Sequence, residues 1–360
     1  MNLLNKYKNK KILITGNTGF KGSWLTFWLC TLGAKVYGVS NSILTKPSLF
    51  NILNLKKKIK YFNFDIKKKK LLETKIKKIK PDFIFHLAAQ SLVKKSYLDP
   101  YSTFETNTYG TLNLLECIKE IKHLCTIVII TSDKSYRNLE LKRGYKENDI
   151  IGGFDPYSAS KGAAELIINS YIKNFLSKNK NIRIGVARAG NVIGGGDWSA
   201  DRLIPDCVKS WADKKEVIIR NPNSTRPWQH VFEVIAGYLL FGIKVNLNKK
   251  INGEVFNFGP NTKKNYKVIE LIKELKKNWK NISWRIEKKK KRQVFYESTL
   301  LKLNSKKANK ILGWKCILSF SETSKLVSDW YKCFYKNREN IKLKSYSDIK
   351  FFEKLMFERL

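Results

Sequence analysis

Lys10-Lys11-Ile12-Leu13-Ile14-Thr15-Gly16-Asn17-Thr18-Gly19-Phe20-Lys21-Gly22 reads as a strand running straight into a glycine-spaced turn. The run Ile12 to Ile14 has the unbroken apolar character of a strand buried on both faces, as in a parallel sheet. Ser23 to Leu32 follows as an apolar helix, so the order is strand, loop, helix. Gly16 permits the tight turn, Gly19 lets the backbone approach a pyrophosphate, and Gly22 lets the helix pack against the strand. The helix N-terminus favours the anion. The stretch predicts dinucleotide binding, with Thr18, Phe20 and Lys21 among the loop residues beside the cofactor.

The second strand, Lys35 to Val39, ends at Ser40-Asn41, where an acidic residue is expected to hold the ribose hydroxyls. That carboxylate is missing, and no arginine stands there for an extra phosphate, so composition leaves NAD and NADP open. Asp65, after Tyr61-Phe62-Asn63-Phe64, is placed either to contact the adenine end or to cap the lysine-rich helix that follows. Asp82 to His86 leads into Leu87-Ala88-Ala89-Gln90, whose small residues let a cofactor lie close to the chain. Tyr101 to Ile121 reads as one long helix and Thr126 to Ile130 as another strand. This alternation predicts an α/β fold, a Rossmann-type doubly wound parallel sheet with a smaller, interleaved α/β substrate-binding domain. Ligands bind outside the carboxyl ends of such strands, so Gly16, Ala88, Ser132 and the helix of Tyr157 should converge on one crevice.

Two constellations carry the chemistry. In Tyr157-Ser158-Ala159-Ser160-Lys161 the lysine lies four residues on, on the same helix face, where its charge can stabilise a phenolate and make Tyr157 a base. That pair suits hydride chemistry on an alcohol. In Thr131-Ser132-Asp133-Lys134, Ser132 can bond the reacting hydroxyl while Asp133 and Lys134 offer an acid and a base for a second step. The plain alternatives are a Ser/Asp turn closing a strand and an ordinary helical Tyr/Lys pair. Arginine is scarce, so Arg202, Arg220 and Arg226 stand out, because a guanidinium fork suits a diphosphate. Asn191 is placed to bond a phosphate or sugar hydroxyl, and Arg188 reads as half of an internal ion pair.

The chain resembles the extended short-chain dehydrogenase/reductases of the NAD-dependent epimerase/dehydratase family, and more narrowly the CDP-glucose 4,6-dehydratases. The resemblance runs from about Lys10 to Tyr331. It rests on Thr15 to Trp24, His86 to Gln90, Thr131 to Lys134, Asp155 to Lys161, Arg188 to Trp198, Asp201 to Asp206 and Arg226 to His230. The Ser-Asp-Lys triplet is the narrowest match, since relatives acting on thymidine or guanosine sugars carry glutamate in the elimination role. One departure stands near the carboxyl end, where Tyr296-Glu297-Ser298 and Leu301-Lys302-Leu303-Asn304 replace a His-Glu-Ala and Leu-x-Leu-Asp pattern. The resemblance implies NAD as cofactor, held by Gly16, Thr18, Gly19, Phe20, Lys21, Gly22, Ser40, Asp65, Leu87, Ala88, Ala89, Thr131, Tyr157 and Lys161. It implies Ser132, Asp133, Lys134, Tyr157 and Lys161 as catalytic residues, and Gln90, Ser132, Asn191, Arg202, Arg220 and Arg226 as contacts to a nucleotide sugar. The implied reaction turns CDP-glucose into CDP-4-keto-6-deoxyglucose for deoxysugar and surface-polysaccharide biosynthesis. Tyr157 would serve at carbon 4, Lys134 at carbon 5 and Asp133 at the departing carbon 6 hydroxyl. An epimerase, or a dehydratase of a dTDP- or GDP-hexose, would share the Tyr/Lys pair.

At 360 residues and 43% hydrophobic content the chain is large enough for two well-buried lobes. The cofactor lobe is expected over 1–187, with a return segment at about 228–259, and the nucleotide-sugar lobe over 188–227 and 260–360. The formal charge of +40 invites a nucleic-acid reading. Lysine far exceeds arginine, however, and falls in runs such as Lys56 to Lys60, Lys67 to Lys70, Lys75 to Lys80 and Lys288 to Lys291, which reads as a solvated coat without a specific nucleic-acid site. Cys30, Cys117, Cys125, Cys207, Cys316 and Cys333 have no C-x-x-C spacing and read as free thiols. His86, His123 and His230 are too scattered for a metal cluster, so no metal is expected. No signal core or membrane-length apolar run is seen, and a cytoplasmic homo-oligomer is the expectation. Trp24, Phe27, Trp28 and Leu32 have helical spacing and read as core, with Trp24 alone open to ligand contact.

Overall fold

The computed structural model describes residues 3–260, 266–279, 282–287 and 300–360. The departure at Tyr296-Glu297-Ser298 and the lysine run 288–291 lie outside the described residues. Seven parallel strands form the main sheet: β1 (Lys11–Thr15), β2 (Lys35–Ser40), β3 (Lys60–Asn63), β4 (Phe83–His86), β5 (Cys125–Ile130), β6 (Ile182–Ala189) and β7 (Val255–Phe258). Their order is β7-β6-β5-β4-β1-β2-β3, so the chain winds one way from β1 to β3 and then the other. Strands β1, β4 and β5 lie side by side, with Thr15 beside His86 and His86 beside Ile129.

The central strands are apolar on both faces because both faces are covered. Ile12, Ile14, Phe85 and Val128 join one core, while Leu13, Ile84, Ile127 and Ile129 join the other. The helix Lys69–Ile79 shows how the lysine coat arises. Leu72, Ile76 and Ile79 are buried on the sheet, while Lys69, Lys70, Lys77 and Lys78 face water.

Helix α1 (Phe20–Thr31) is apolar nearly all round and is covered on its outer side by the two C-terminal helices, Phe320–Lys336 and Ile341–Arg359. Trp24 meets Trp330 edge-on, and Trp28 meets Phe352 the same way. Trp24 is therefore core: it is buried, and its Nε1 donates to the Gly195 carbonyl at 2.8 Å. Truncating such an indole costs about 3–5 kcal/mol. The helix Val231–Leu247 packs against β5 and β6, where Tyr7 donates to Leu239 O at 2.7 Å. Among the described residues, three two-stranded sheets lie outside the main one; they pair Gln229–His230 with Val192–Ile193, Thr225–Arg226 with Tyr266–Lys267, and Val217–Ile219 with Trp284–Ile286.

The stretch from Tyr101 is not one regular α-helix. A π-turn at Glu105–Tyr109 separates Pro100–Phe104 from Gly110–Lys119. Such wide turns are frequent at functional sites. Here it presents Asn107, whose Nδ2 donates to Ser160 Oγ at 2.8 Å and to Gln90 O at 3.0 Å.

Candidate active site

The carboxyl ends of β1, β4, β5 and β6 deliver the Gly16 loop, Leu87-Ala88-Ala89, Ser132-Asp133-Lys134 and Asn191. Gly16 adopts φ +76°, and a Cβ there would press into the Ala88 backbone at 2.7 Å, so glycine is required on both grounds. A Cβ on Gly22 would overlap the Gly16 carbonyl; Gly22 therefore closes the helix onto the loop itself and not onto the strand. Gly19 is the residue just before α1, with no side-chain cap on the amides of the first turn. This cradle fits a dinucleotide pyrophosphate by close backbone approach and a helix N-terminus.

At the far end, Thr18 N donates to Ser40 Oγ at 3.3 Å and Thr18 Oγ1 to Ser42 O at 2.7 Å. Asp65, from beyond β3, is tied to the end of β2: Asn41 Nδ2 donates to Asp65 Oδ2 at 2.9 Å. Asp65 Oδ1 also accepts from Lys67 N at 2.9 Å, so Asp65 caps the following turn as well. The phenyl ring of Phe20 lies against Gly194.

The Tyr157 helix (Pro156–Asn174) starts at Asp155, which accepts from Ser158 N at 2.9 Å, with proline in its first turn. Tyr157 and Lys161 are both buried. Burial pushes the Tyr157 phenol up to about 12, opposed by a hydrogen bond with Ser132 and reinforced by Asp133. Burial lowers the Lys161 ammonium to about 8, against the pull of Glu165. Burial and Glu165 are thus the two influences that set the Lys161 ammonium.

Ser132 joins the two constellations. Besides meeting Tyr157, its hydroxyl donates to Asp133 Oδ1 at 2.9 Å and accepts from Lys134 N at 3.2 Å. Asp133 is buried, and burial raises its carboxyl above the usual range despite the nearby Lys134 cation. Lys134 is half-buried at the edge of the site. Lys21 reaches the same crevice: burial lowers it to about 8, with Arg202, Asp133, Lys161 and Asp197 as its charged neighbours.

Other expected site residues have partners within the chain or stand exposed. Thr131 turns its hydroxyl inward, donating to Glu165 Oε1 at 2.5 Å, because that buried carboxylate needs donors. Gln90 gives its carboxamide to its own loop, with Nε2 donating to Leu92 O and Thr103 Oγ1 at 3.0 Å each and Oε1 accepting from Leu92 N. Arg202 pairs with Asp197 at 2.9 Å at the rim, while Asn191 and Arg220 are exposed. Arg226 is half-buried and donates to Thr225 O at 2.9 Å. Arg188 forms the expected internal pair, with Glu165, at 2.8 Å. Asp197, Asn107 and Glu165 were not singled out from sequence; the spacing of Glu165, four residues after Lys161, was the one available sign.

A parallel sheet with this strand order, a glycine loop at β1 and a Tyr-x-x-x-Lys helix beside a serine define an extended short-chain dehydrogenase/reductase. A family model described as GDP-mannose 4,6 dehydratase matches residues 13–327, and the chain belongs to that family. A CDP-glucose 4,6-dehydratase from Salmonella typhimurium is 39% identical over 93% of this chain and 94% of its own. A CDP-paratose 2-epimerase from Salmonella typhi is 27% identical over 89% of this chain and 98% of its own. Among solved structures, a UDP-glucuronic acid 4-epimerase from Bacillus cereus, in complex with UDP-glucuronic acid and NAD, superposes with TM-score 0.75 at 25% identity. It covers 90% of this chain and 100% of that one.

Proposed function

We propose that this chain is a CDP-glucose 4,6-dehydratase, a hydro-lyase that converts CDP-glucose to CDP-4-keto-6-deoxyglucose with loss of water. The observation that carries the reading is Ser132, whose hydroxyl donates to the buried acid Asp133 at 2.9 Å while Ser132 and Asp133 both act on the buried Tyr157. The 39% identical relative supports the cytidine nucleotide. NAD, for which the glycine cradle fits, supplies the hydride acceptor at carbon 4 and the hydride donor at carbon 6.

Tyr157 takes the proton of the carbon 4 hydroxyl while Ser132 holds the same oxygen. The ketone so formed acidifies the proton on carbon 5, and Lys134 removes it when its side chain is the neutral amine. Asp133, whose carboxyl burial raises above the usual range, is the proposed acid that passes a proton to the departing carbon 6 hydroxyl. Lys134 then returns a proton to carbon 5. Each positioned acid or base contributes about 10²–10⁴-fold. Arg202, Arg220, Arg226 and Asn191 are the proposed contacts to the diphosphate and sugar, and Leu87, Ala88 and Ala89 the proposed neighbours of the cofactor.

The division into a cofactor lobe, 1–187 with 228–259, and a nucleotide-sugar lobe is part of this proposal, as are a cytoplasmic setting and a role in deoxysugar biosynthesis. Among the described residues no helix is long and apolar enough to cross a membrane. Homo-oligomer assembly is also proposed, supported by Tyr101, Tyr109 and Leu166 exposed on neighbouring helices.

The test is incubation with CDP-glucose, dTDP-glucose and GDP-mannose, with and without added NAD, followed by mass spectrometry. A product lighter by one water, formed fastest from CDP-glucose, is expected. Equal or better use of dTDP-glucose overturns the nucleotide assignment, and an epimer of unchanged mass overturns the dehydratase reading.

A further inference from the structure

We infer that Glu165 is a positioning residue for the reaction: its carboxylate locks the turn bearing Ser132, Asp133 and Lys134 to the helix bearing Tyr157 and Lys161. The role in catalysis rests on the proposed function; the lock itself rests on geometry. Glu165 lies one helical turn beyond Lys161, on the same face. Its side chain is 4% exposed, a depth at which a carboxylate needs a cation and further donors.

Arg188, near the carboxyl end of β6, grips both oxygens, with Nε to Oε1 at 2.8 Å and Nη2 to Oε2 at 2.9 Å. The remaining capacity of Oε1 goes to two hydroxyls, Thr131 at 2.5 Å and Ser135 at 3.3 Å. These two residues bracket the Ser-Asp-Lys triplet. Ser135 Oγ also lies 2.7 Å from Ser132 O, and Arg188 Nη1 donates to the Tyr136 hydroxyl at 2.6 Å. One buried ion pair therefore fixes the turn from both ends. A misplacement of about 1 Å in such a site can cost about 10²-fold in rate.

The test compares wild type, Glu165→Gln and Ser135→Ala by hydrogen exchange and steady-state kinetics. In Glu165→Gln, amide exchange over 131–136 is expected to rise at least about tenfold, with β1 unchanged. For whichever nucleotide hexose wild type turns over, kcat should fall about 10²-fold with KM within about threefold. The alkaline limb of kcat/KM should also move to lower pH. Lys161 faces Glu165 on its own helix, Lys21 from α1 and His86 from β4, and removing the one carboxylate among them releases its proton sooner. Unchanged exchange over 131–136 in folded Glu165→Gln overturns the inference, with or without turnover. Should Glu165→Gln not fold, Ser135→Ala decides: faster exchange across the turn supports the lock, and unchanged exchange overturns it. A wild type inactive on every nucleotide hexose defeats the proposed function, while the exchange result still decides the lock.

Discussion

Asn41 Nδ2 donates to Asp65 Oδ2 at 2.9 Å, joining the end of β2 to the turn after β3. A carboxylate thus stands near the place where the first βα unit of such folds holds ribose hydroxyls, although the second strand itself carries none.

Asp65→Asn should weaken NAD binding while leaving kcat at saturating NAD unchanged. A hydrogen bond to a charged group contributes about 1.5–3 kcal/mol, or at least about tenfold in Kd. Calorimetric titration with NAD measures it. An unaltered Kd would leave Asp65 with the capping role alone.

Tyr157→Phe should lower turnover by about 10²–10⁴-fold, because the phenolate oxygen is the group of that ring that takes the carbon 4 proton. Nucleotide-sugar binding, followed by equilibrium dialysis, should stay within about threefold of wild type, the ring remaining in place. Turnover near the wild-type rate would remove Tyr157 from the mechanism.

The pH dependence follows from Lys161. Its ammonium is held at about 8, below its ordinary 10.5, so the cation beside the site is lost as pH rises through about 8. Activity measured as kcat/KM should decline above that point. Stability moves oppositely: from about pH 8 to 10.5 the unfolded chain binds the proton that the folded chain has released, so this group makes stability rise with pH there. Below about 8 its full burial cost is present. A kcat/KM profile flat to pH 10 would contradict a catalytic need for the cation.

What could be read from sequence were features set by local spacing. Ile12-Leu13-Ile14 before Gly16 announced a buried strand and a turn, and four residues from Tyr157 to Lys161 placed them on one helix face. Side-chain direction was not legible, because it depends on partners far along the chain. Thr131 turns to Glu165, 34 residues away, and Gln90 turns into its own loop. The π-turn presenting Asn107 leaves no mark in hydrophobic periodicity, since the flanking helices keep theirs. Lys21 stands in the helix-forming stretch, and only the closed crevice brings it toward Asp133 and Arg202.

The most direct test of the dehydratase account is a single turnover of Lys134→Ala with CDP-glucose in heavy water. Lys134 is assigned to the carbon 5 proton and Tyr157 to the carbon 4 hydroxyl, so oxidation should proceed and elimination should stall. Stopped-flow absorbance should show reduced nicotinamide rising and persisting, and carbon 5 should take up no deuterium. If Lys134 served only an exposed ion pair, its truncation would cost about 0–1 kcal/mol and leave the reaction intact. Normal product formation with normal deuterium uptake at carbon 5 in the Lys134→Ala protein would contradict the account and assign the base to another residue.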